Sequence, residues 1–382
     1  DTVLASRAFT LPDNIENLTL TGVLNIDATG NALDNILRGN SGDNVLKGGG
    51  GSDIAYGGSG DDIYYGIASA IEYAGEGVDT YVNVQGGLLP DNIENFWLDD
   101  GSGRQVSFNI TATGNALDNT IVGRAGIFTD TLDGGLGADT YIALGVTFIV
   151  DNPGDKIIFT DPYFSGGSVK STIDWSLQDG LGNLTLLGSA SISGVGNNLN
   201  NVLDGSQNLA ANHLSGKTGN DTYIIGLNDI VTENPDEGID TVQFYDVANG
   251  TYRLDSYANI ENLSIIGRSG YKSTIIGSDA NNRLVAGNAN DVLLGGGGDD
   301  YLDGGVGNDY LDGGAGNDRY FDYIGASFIA GINSDTYAYY LGSGVDVIFD
   351  YNPSSYANNT GYTIEIGAGI SESDIVLTRI GD

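Results

Sequence analysis

Through residues 277–321 an apolar side chain returns at every ninth position, with glycine and aspartate at fixed places between. Five units begin at 277, 286, 295, 304 and 313, and the clearest read GGGGDDYLD, GGVGNDYLD and GGAGNDRYF. All three fit G-G-x-G-x-D-x-U-x, where U is a large apolar residue. The final three positions alternate in direction, which predicts a short strand with Leu302, Leu311 and Tyr320 as core side chains. The glycines at the front permit a tight turn with its carbonyls facing inward. Two units make one coil, so loops two units apart stack, placing Asp291 over Asp309 and Asp300 over Asp318. A flexible Gly/Asp linker would keep neither the strict period nor the apolar eighth position.

A longer repeat frames the short one. NIENLTL at 14–20 returns as NIENFWL at 92–98, GLGNLTL at 180–186 and NIENLSI at 259–265, a period of about 80 residues. Each phrase alternates apolar and polar positions and reads as a strand. A nonapeptide block follows each, over 30–65, 114–142, 196–224 and 277–321. The chain therefore divides into repeat units 1–78, 79–154, a divergent 155–239, 240–333, and a closing segment 334–382 that includes the degenerate AGINSDTYA at 330–338 at its border. The last unit of each block carries Tyr at position eight (Tyr64, Tyr141, Tyr223 and Tyr320). A ring that closes a narrow core while its hydroxyl reaches water is the expected role. Helical periodicity is absent throughout.

The stacked aspartates decide what the coil needs. Two carboxylates about 5 Å apart repel by roughly 3 kcal/mol at an effective dielectric of about 20. One buried Leu per unit, worth about 2 kcal/mol, does not offset that. A hard dication with oxygen ligands reverses the sign, and Ca²⁺ suits an all-oxygen, flexible site better than Mg²⁺. The candidate ligands are the position-six carboxylates Asp53, Asp62, Asp139, Asp221, Asp291, Asp300, Asp309 and Asp318, with loop carbonyls at Gly296, Gly298, Gly305 and Gly307. Asn35 and Asn44 stand at the same position in the opening units, as do Asn119, Asn201 and Asn282. A neutral amide oxygen attracts the ion less, so these read as weak sites or plain turns.

Composition agrees with that chemistry. Fifty-one acidic and 14 basic residues give a formal charge of −37, and Asp outnumbers Glu by 42 to 9. Short carboxylates on loops are what cation-binding turns use. This charge excludes nucleic acid as a partner, disfavours anionic membranes, and makes the cation-free chain self-repelling. With no Cys there is no disulfide framework and no thiolate chemistry. No apolar run reaches the roughly 18 residues of a transmembrane helix, and no signal-peptide pattern opens the chain.

The nonapeptides, the ATGNALDN and LPDNIENLTLTG phrases and the closing GISESDIVLTRIGD together resemble the RTX, or haemolysin-type calcium-binding, proteins. The resemblance implies an all-β, right-handed parallel β-roll or β-solenoid, a bacterial source, type I secretion, and folding on reaching calcium outside the cell. It does not fix the function, because such modules serve toxins, proteases, lipases, epimerases, adhesins and surface-layer proteins.

No active site is recognisable in the residues. The single His213 lies in a loosened repeat and reads as an exposed turn histidine; one His cannot form HExxH, and no GxSxG elbow occurs. The expectation is a non-enzymatic, calcium-stabilised structural or adhesive protein of the cell surface or matrix, such as a surface layer, filament or biofilm component, assembling head to tail as a homo-oligomer. The alternative is the non-catalytic portion of a larger secreted enzyme or toxin, with polysaccharide as a partner. Trp97 aligns with Thr19, Thr185 and Ser264 and is expected to point outward beside Asp99 and Asp100 as a contact residue. The opening Asp1-Thr2-Val3 matches the middle of a unit, Asp79-Thr80-Tyr81, so the natural polypeptide is expected to continue past both ends.

Overall fold

The computed structural model describes residues 1–98, 109–124, 130–143, 146–159, 166–226, 228–245, 249–266, 270–323, 336–339, 347–351 and 363–366. Asp99, Asp100, most of the degenerate 330–338 unit and the closing 369–382 phrase lie outside them. The chain forms two compact units, Asp1–Leu187 and Gly188–Asp382. Both are parallel β-solenoids, and the one helical turn among the described residues is Leu254–Ser256. The all-β solenoid expected from the alternation is therefore the fold.

In the first unit a 5-stranded sheet runs from Thr2–Ala5 through Asn17–Leu20, Ile36–Arg38 and Ile54–Tyr56 to Ser69–Ile71. A 9-stranded sheet runs from Phe9–Thr10 to Lys156–Ile158, and a third row from Gly87–Leu88 to Asn183–Leu186. In the second unit the longest row runs from Val202–Asp204 to Val347–Tyr351, beside rows from Ser193–Val195 and from Gly250–Arg253. Units of nine residues pair two apart, as in Ile36 with Ile54 and Arg283 with Tyr301. The loosened units GRAGIFTDTLD and GSQNLAANHLS are accommodated by longer coils, in which Thr120 pairs with Thr140 and Val202 with Thr222. Pairing also runs unbroken across the repeat boundaries, through Ile63 with Thr80, Thr140 with Lys156, and Thr222 with Thr241. Within each unit the ladder therefore continues across the long-repeat boundaries.

Each three-residue strand sends its middle residue inward, and these residues stack into columns. Leu203, Tyr223, Val242, Leu263, Leu284, Leu302 and Tyr320 form one in the second unit, each buried completely. The first unit carries Leu46, Tyr64, Tyr81, Phe96, Ile121 and Tyr141 in the same way. Its 5-stranded sheet narrows to Ala55 and Ala70 within the coils whose other strands carry Tyr64 and Tyr81.

The NIEN phrases owe their form to one backbone turn. Asn14, Asn92 and Asn259 all adopt positive φ, between 60° and 66°. Asn tolerates this left-handed conformation better than most residues, and the third phrase has Gly180 there, at φ 94°. Glu94 and Glu261, two residues on, then accept the backbone N–H groups of Asp79 and Asp240 at 2.8 Å each.

Leu302→Ala opens a void in a fully buried column and is expected to lower stability by about 3 kcal/mol. Val306→Ala, at a loop position 37% exposed, should change it by less than about 0.5 kcal/mol. Urea unfolding of both variants in saturating calcium measures the difference.

Candidate metal centre

The turn before each strand ends at position six, and all eight aspartates singled out there are buried, none more than 3% exposed. Their first carboxylate oxygen has a fixed job: Oδ1 accepts the backbone N–H of the residue at the same position one coil earlier. Asp53 accepts from Asn35 at 2.8 Å, Asp62 from Asn44 at 2.7 Å, Asp139 from Asn119 at 2.7 Å and Asp221 from Asn201 at 2.6 Å. Asp291 accepts from Ser273 at 2.6 Å, Asp300 from Asn282 at 2.8 Å, Asp309 from Asp291 at 2.7 Å and Asp318 from Asp300 at 2.9 Å. The expected stacking of Asp291 over Asp309 and Asp300 over Asp318 is present. The carboxylates do not simply face one another, however, because a peptide N–H lies between successive members.

The second oxygen is where the demand for a cation arises. Oδ2 of Asp53, Asp62, Asp139, Asp221, Asp291 and Asp300 is buried with no hydrogen-bond partner. A carboxylate so placed is costly unless it is neutralised. Burial, the largest cause, pushes Asp62 up to about 8, Asp139 and Asp300 to about 7 and Asp221 to about 6, and it also raises Asp53, Asp291 and Asp318. The donated N–H bonds act in the opposite direction without overcoming it.

Glycine at position one leaves room beside that oxygen. A Cβ on Gly48 would collide with Asp53 Oδ2 and the Gly66 carbonyl, and one on Gly295 with Asp300 Oδ2 and the Gly313 carbonyl. Carboxylate and peptide oxygens thus line one small space with no nitrogen or sulfur donor, which fits a hard dication such as Ca²⁺. Gly296, Gly298 and Gly305 have positive φ, and Cβ atoms on them would run into the loop one coil earlier, as would one on Gly307 into the Ala289 carbonyl. These glycines permit the close stacking of the loops.

The asparagines at position six behave differently. Asn35 Oδ1 accepts the Asn31 N–H at 2.7 Å, and its amide nitrogen donates to the Ile15 and Glu16 carbonyls at 3.3 Å. Asn44 accepts from Asn40 at 2.8 Å and donates to the Ile26 carbonyl at 2.8 Å. Asn282 likewise accepts from Ser278 at 2.7 Å and donates to the Glu261 carbonyl at 2.8 Å. Both ends of these amides are used within the protein. They help close the turn at the start of a block.

Asp130 supplies an internal comparison. Its Oδ1 accepts the Ile110 N–H at 3.0 Å like the other ladder members, but the Arg124 guanidinium bonds both its oxygens, at 2.9 and 2.5 Å. The loosened repeat carries its own cation at this position.

Several ladder members escaped the motif. Asp79, Asp155 and Asp240 accept the N–H groups of Asp62, Asp139 and Asp221 at 2.8, 2.9 and 2.7 Å, and Asp229 that of Asn212 at 2.8 Å. The recurring Asp-Thr pair at 79–80 and 240–241 was the signal available for two of them. His213 occupies an exposed strand position, bonded to Thr232 at 2.6 Å.

The block-ending tyrosines correct an expectation. Tyr64, Tyr141, Tyr223 and Tyr320 are at most 1% exposed, so their hydroxyls do not reach water. Within a block the position-one N–H bonds the carbonyl of position nine in the next unit, as Gly30 does to Lys47 and Gly39 to Tyr56, both at 2.8 Å. The last unit of a block has no such successor. There the Tyr hydroxyl takes over, accepting the N–H of Gly134 at 2.9 Å, Gly216 at 2.6 Å and Gly313 at 3.0 Å.

Asp300→Ala is expected to raise the calcium concentration needed for folding at least about tenfold while changing the metal-free chain little. Asn282→Ala, the milder change on sequence grounds, removes buried amide bonds and should cost about 1–3 kcal/mol in calcium and chelator alike. Calcium titrations followed by circular dichroism, with urea melts, separate the two. In chelator, carboxyls whose folded pKa lies above the unfolded value contribute stability that is present at low pH and lost as pH rises through the folded value. The β signal of the metal-free chain should therefore grow between about pH 8 and about pH 5, and a decrease would refute this.

The RTX calcium-binding nonapeptide repeat family matches the chain in four copies, over residues 29–64, 113–144, 276–311 and 285–320. The third block, 196–224, falls outside those matches yet carries the same ladder from Asn201 to Asp221. No curated protein matches the chain. Over the matched stretches, motif, parallel solenoid and buried carboxylate ladder together identify RTX-type calcium-binding nonapeptide repeats.

Proposed function

We propose that this is a calcium-stabilised structural or adhesive protein of the bacterial cell surface or extracellular matrix, which assembles with further copies of itself. Calcium in this reading is held by Asp53, Asp62, Asp139, Asp221, Asp291, Asp300, Asp309 and Asp318, with peptide oxygens of the glycine loops completing each site. The dications offset much of the −37 formal charge and let the coils close. Secretion to a calcium-rich exterior provides the ion, and the protein works by its surface and not by catalysis. Among the described residues no helix is long and apolar enough to cross a membrane.

The observation that carries self-assembly is a column on the outer face of the 9-stranded sheet. Tyr65, Val82, Trp97, Val122, Ile142 and Ile158 lie side by side, one per strand, all apolar or aromatic. Lys47 ends it, with its ammonium 5.6 Å from the Tyr65 ring centre. Trp97 points outward as expected, 37% exposed between buried Phe96 and Leu98, and Ile158 is 46% exposed. Val82 is buried, so the exposed part of the column is Trp97 and Ile158 with half-buried Tyr65, Val122 and Ile142, and apolar surface of this kind on an acidic protein is what interfaces use.

Light scattering at high protein concentration should show assemblies in calcium and none in chelator. Trp97→Asp should weaken association at least about 30-fold, equivalent to about 2 kcal/mol, while leaving the calcium-dependent β spectrum intact. A wild-type chain that stays monomeric in calcium would overturn the assembly reading.

A further inference from the structure

Two carboxylates stand beside the ladder without belonging to any nonapeptide. Glu72, in the bridging segment EYAGEGVDTYV, is 4% exposed, and Glu233, in TENPDEGIDTV, is 5% exposed. Oε2 of each is buried and has no hydrogen-bond partner. Glu72 lies with Asp62 and Asp79, and Glu233 with Asp221 and Asp240, in clusters whose carboxylate oxygens are all within 4.8 Å of one another. Each cluster joins the last aspartate of a block, the aspartate of the next Asp-Thr pair, and a glutamate looping in from between them.

The two clusters are built alike although one lies in each unit. Glu precedes its second Asp by the same spacing, and its own carbonyl is held by the left-handed asparagine of the next NIEN phrase. Asn92 donates to Glu72 O and Asn259 to Glu233 O, both at 2.9 Å. The block-ending tyrosine meets each cluster: Tyr64 donates its hydroxyl to Glu72 Oε1, and the Gly216 N–H bonded by Tyr223 also lies 3.3 Å from Glu233 Oε1. Gly57 faces the first cluster with no side chain, and a Cβ there would strike Asp62 Oδ2, Glu72 Oε1 and the Tyr64 hydroxyl. Three buried carboxyls around a bare glycine, with oxygens left unbonded, are a stronger cation trap than two ladder aspartates, because ligand charge sets calcium affinity.

We infer that Asp62–Glu72–Asp79 and Asp221–Glu233–Asp240 form two block-end calcium sites, each sharing one aspartate with the nonapeptide ladder and filled before the other sites. The inference rests on the calcium reading above and adds a class of site that the nonapeptide motif does not encode. Each ion ties the bridging segment to the end of its block, so the ends of the blocks order first.

The test is a count of calcium bound by the full-length chain, using equilibrium dialysis with calcium alone. The double variant Glu72→Gln, Glu233→Gln should bind two fewer ions and lose the tightest class of site. Unchanged stoichiometry and affinity would overturn the inference and mark the clusters as carboxyls sharing protons. Wild-type protein that bound no calcium would instead refute the calcium reading itself. As a check independent of the glutamate variants, terbium added at up to two equivalents should emit on tyrosine excitation through Tyr64 and Tyr223. Tyr64→Phe with Tyr223→Phe should remove most of that emission, and undiminished emission would refute the early filling of these sites.

Discussion

The structure depends on how a buried carboxylate divides its two oxygens. One oxygen of each position-six aspartate accepts a peptide N–H from the preceding coil, so the side chain is part of the backbone ladder and sets the spacing of the loops. The other is left in a dry space lined by peptide oxygens and a bare glycine. The first contact requires the side chain to be inside, and burial makes the second a liability. Folding and cation binding are consequently one process, since the geometry that closes the loop also creates the unmet charge. Asp130 shows the generality of the constraint, for in its loosened repeat the Arg124 guanidinium bonds both carboxylate oxygens.

Much of this was legible in the residues. The apolar eighth position gave the inward columns, the nine-residue period gave the pairing of units two apart, and all eight motif aspartates proved to be buried ladder members. The role of the tyrosines was not legible, because a hydroxyl that replaces a missing strand carbonyl is a statement about what is absent from the next coil, and position eight alone does not carry it. The bond made by Asn282 was not legible for a related reason: its amide donates to the Glu261 carbonyl of the NIEN phrase, distant in sequence. Glu72 and Glu233 lie outside any nine-residue unit, so only the folding back of the bridging segments brings them to the ladder.

The coils tolerate length changes where the ladder is unaffected. In the loosened repeat 205–215 the residues between Asp204 and His213 lie outside strands, while Asn201 still donates to Asp221, as Asn119 does to Asp139. Parallel strands within a solenoid are held by neighbours on both sides, so what must be kept is the register of strand and position six, not the contour between them.

The tyrosine that ends each block also bears on how such a chain changes over generations. In three of the four blocks the last unit carries at position eight a hydroxyl that reaches its own leading glycine, as Tyr141 reaches Gly134. Insertion or deletion of whole nonapeptides ahead of that residue leaves the closing contact unchanged, since it is made entirely within one unit. Block length is therefore free to drift by recombination among near-identical repeats, with the terminal unit carried along as a ready-made stop.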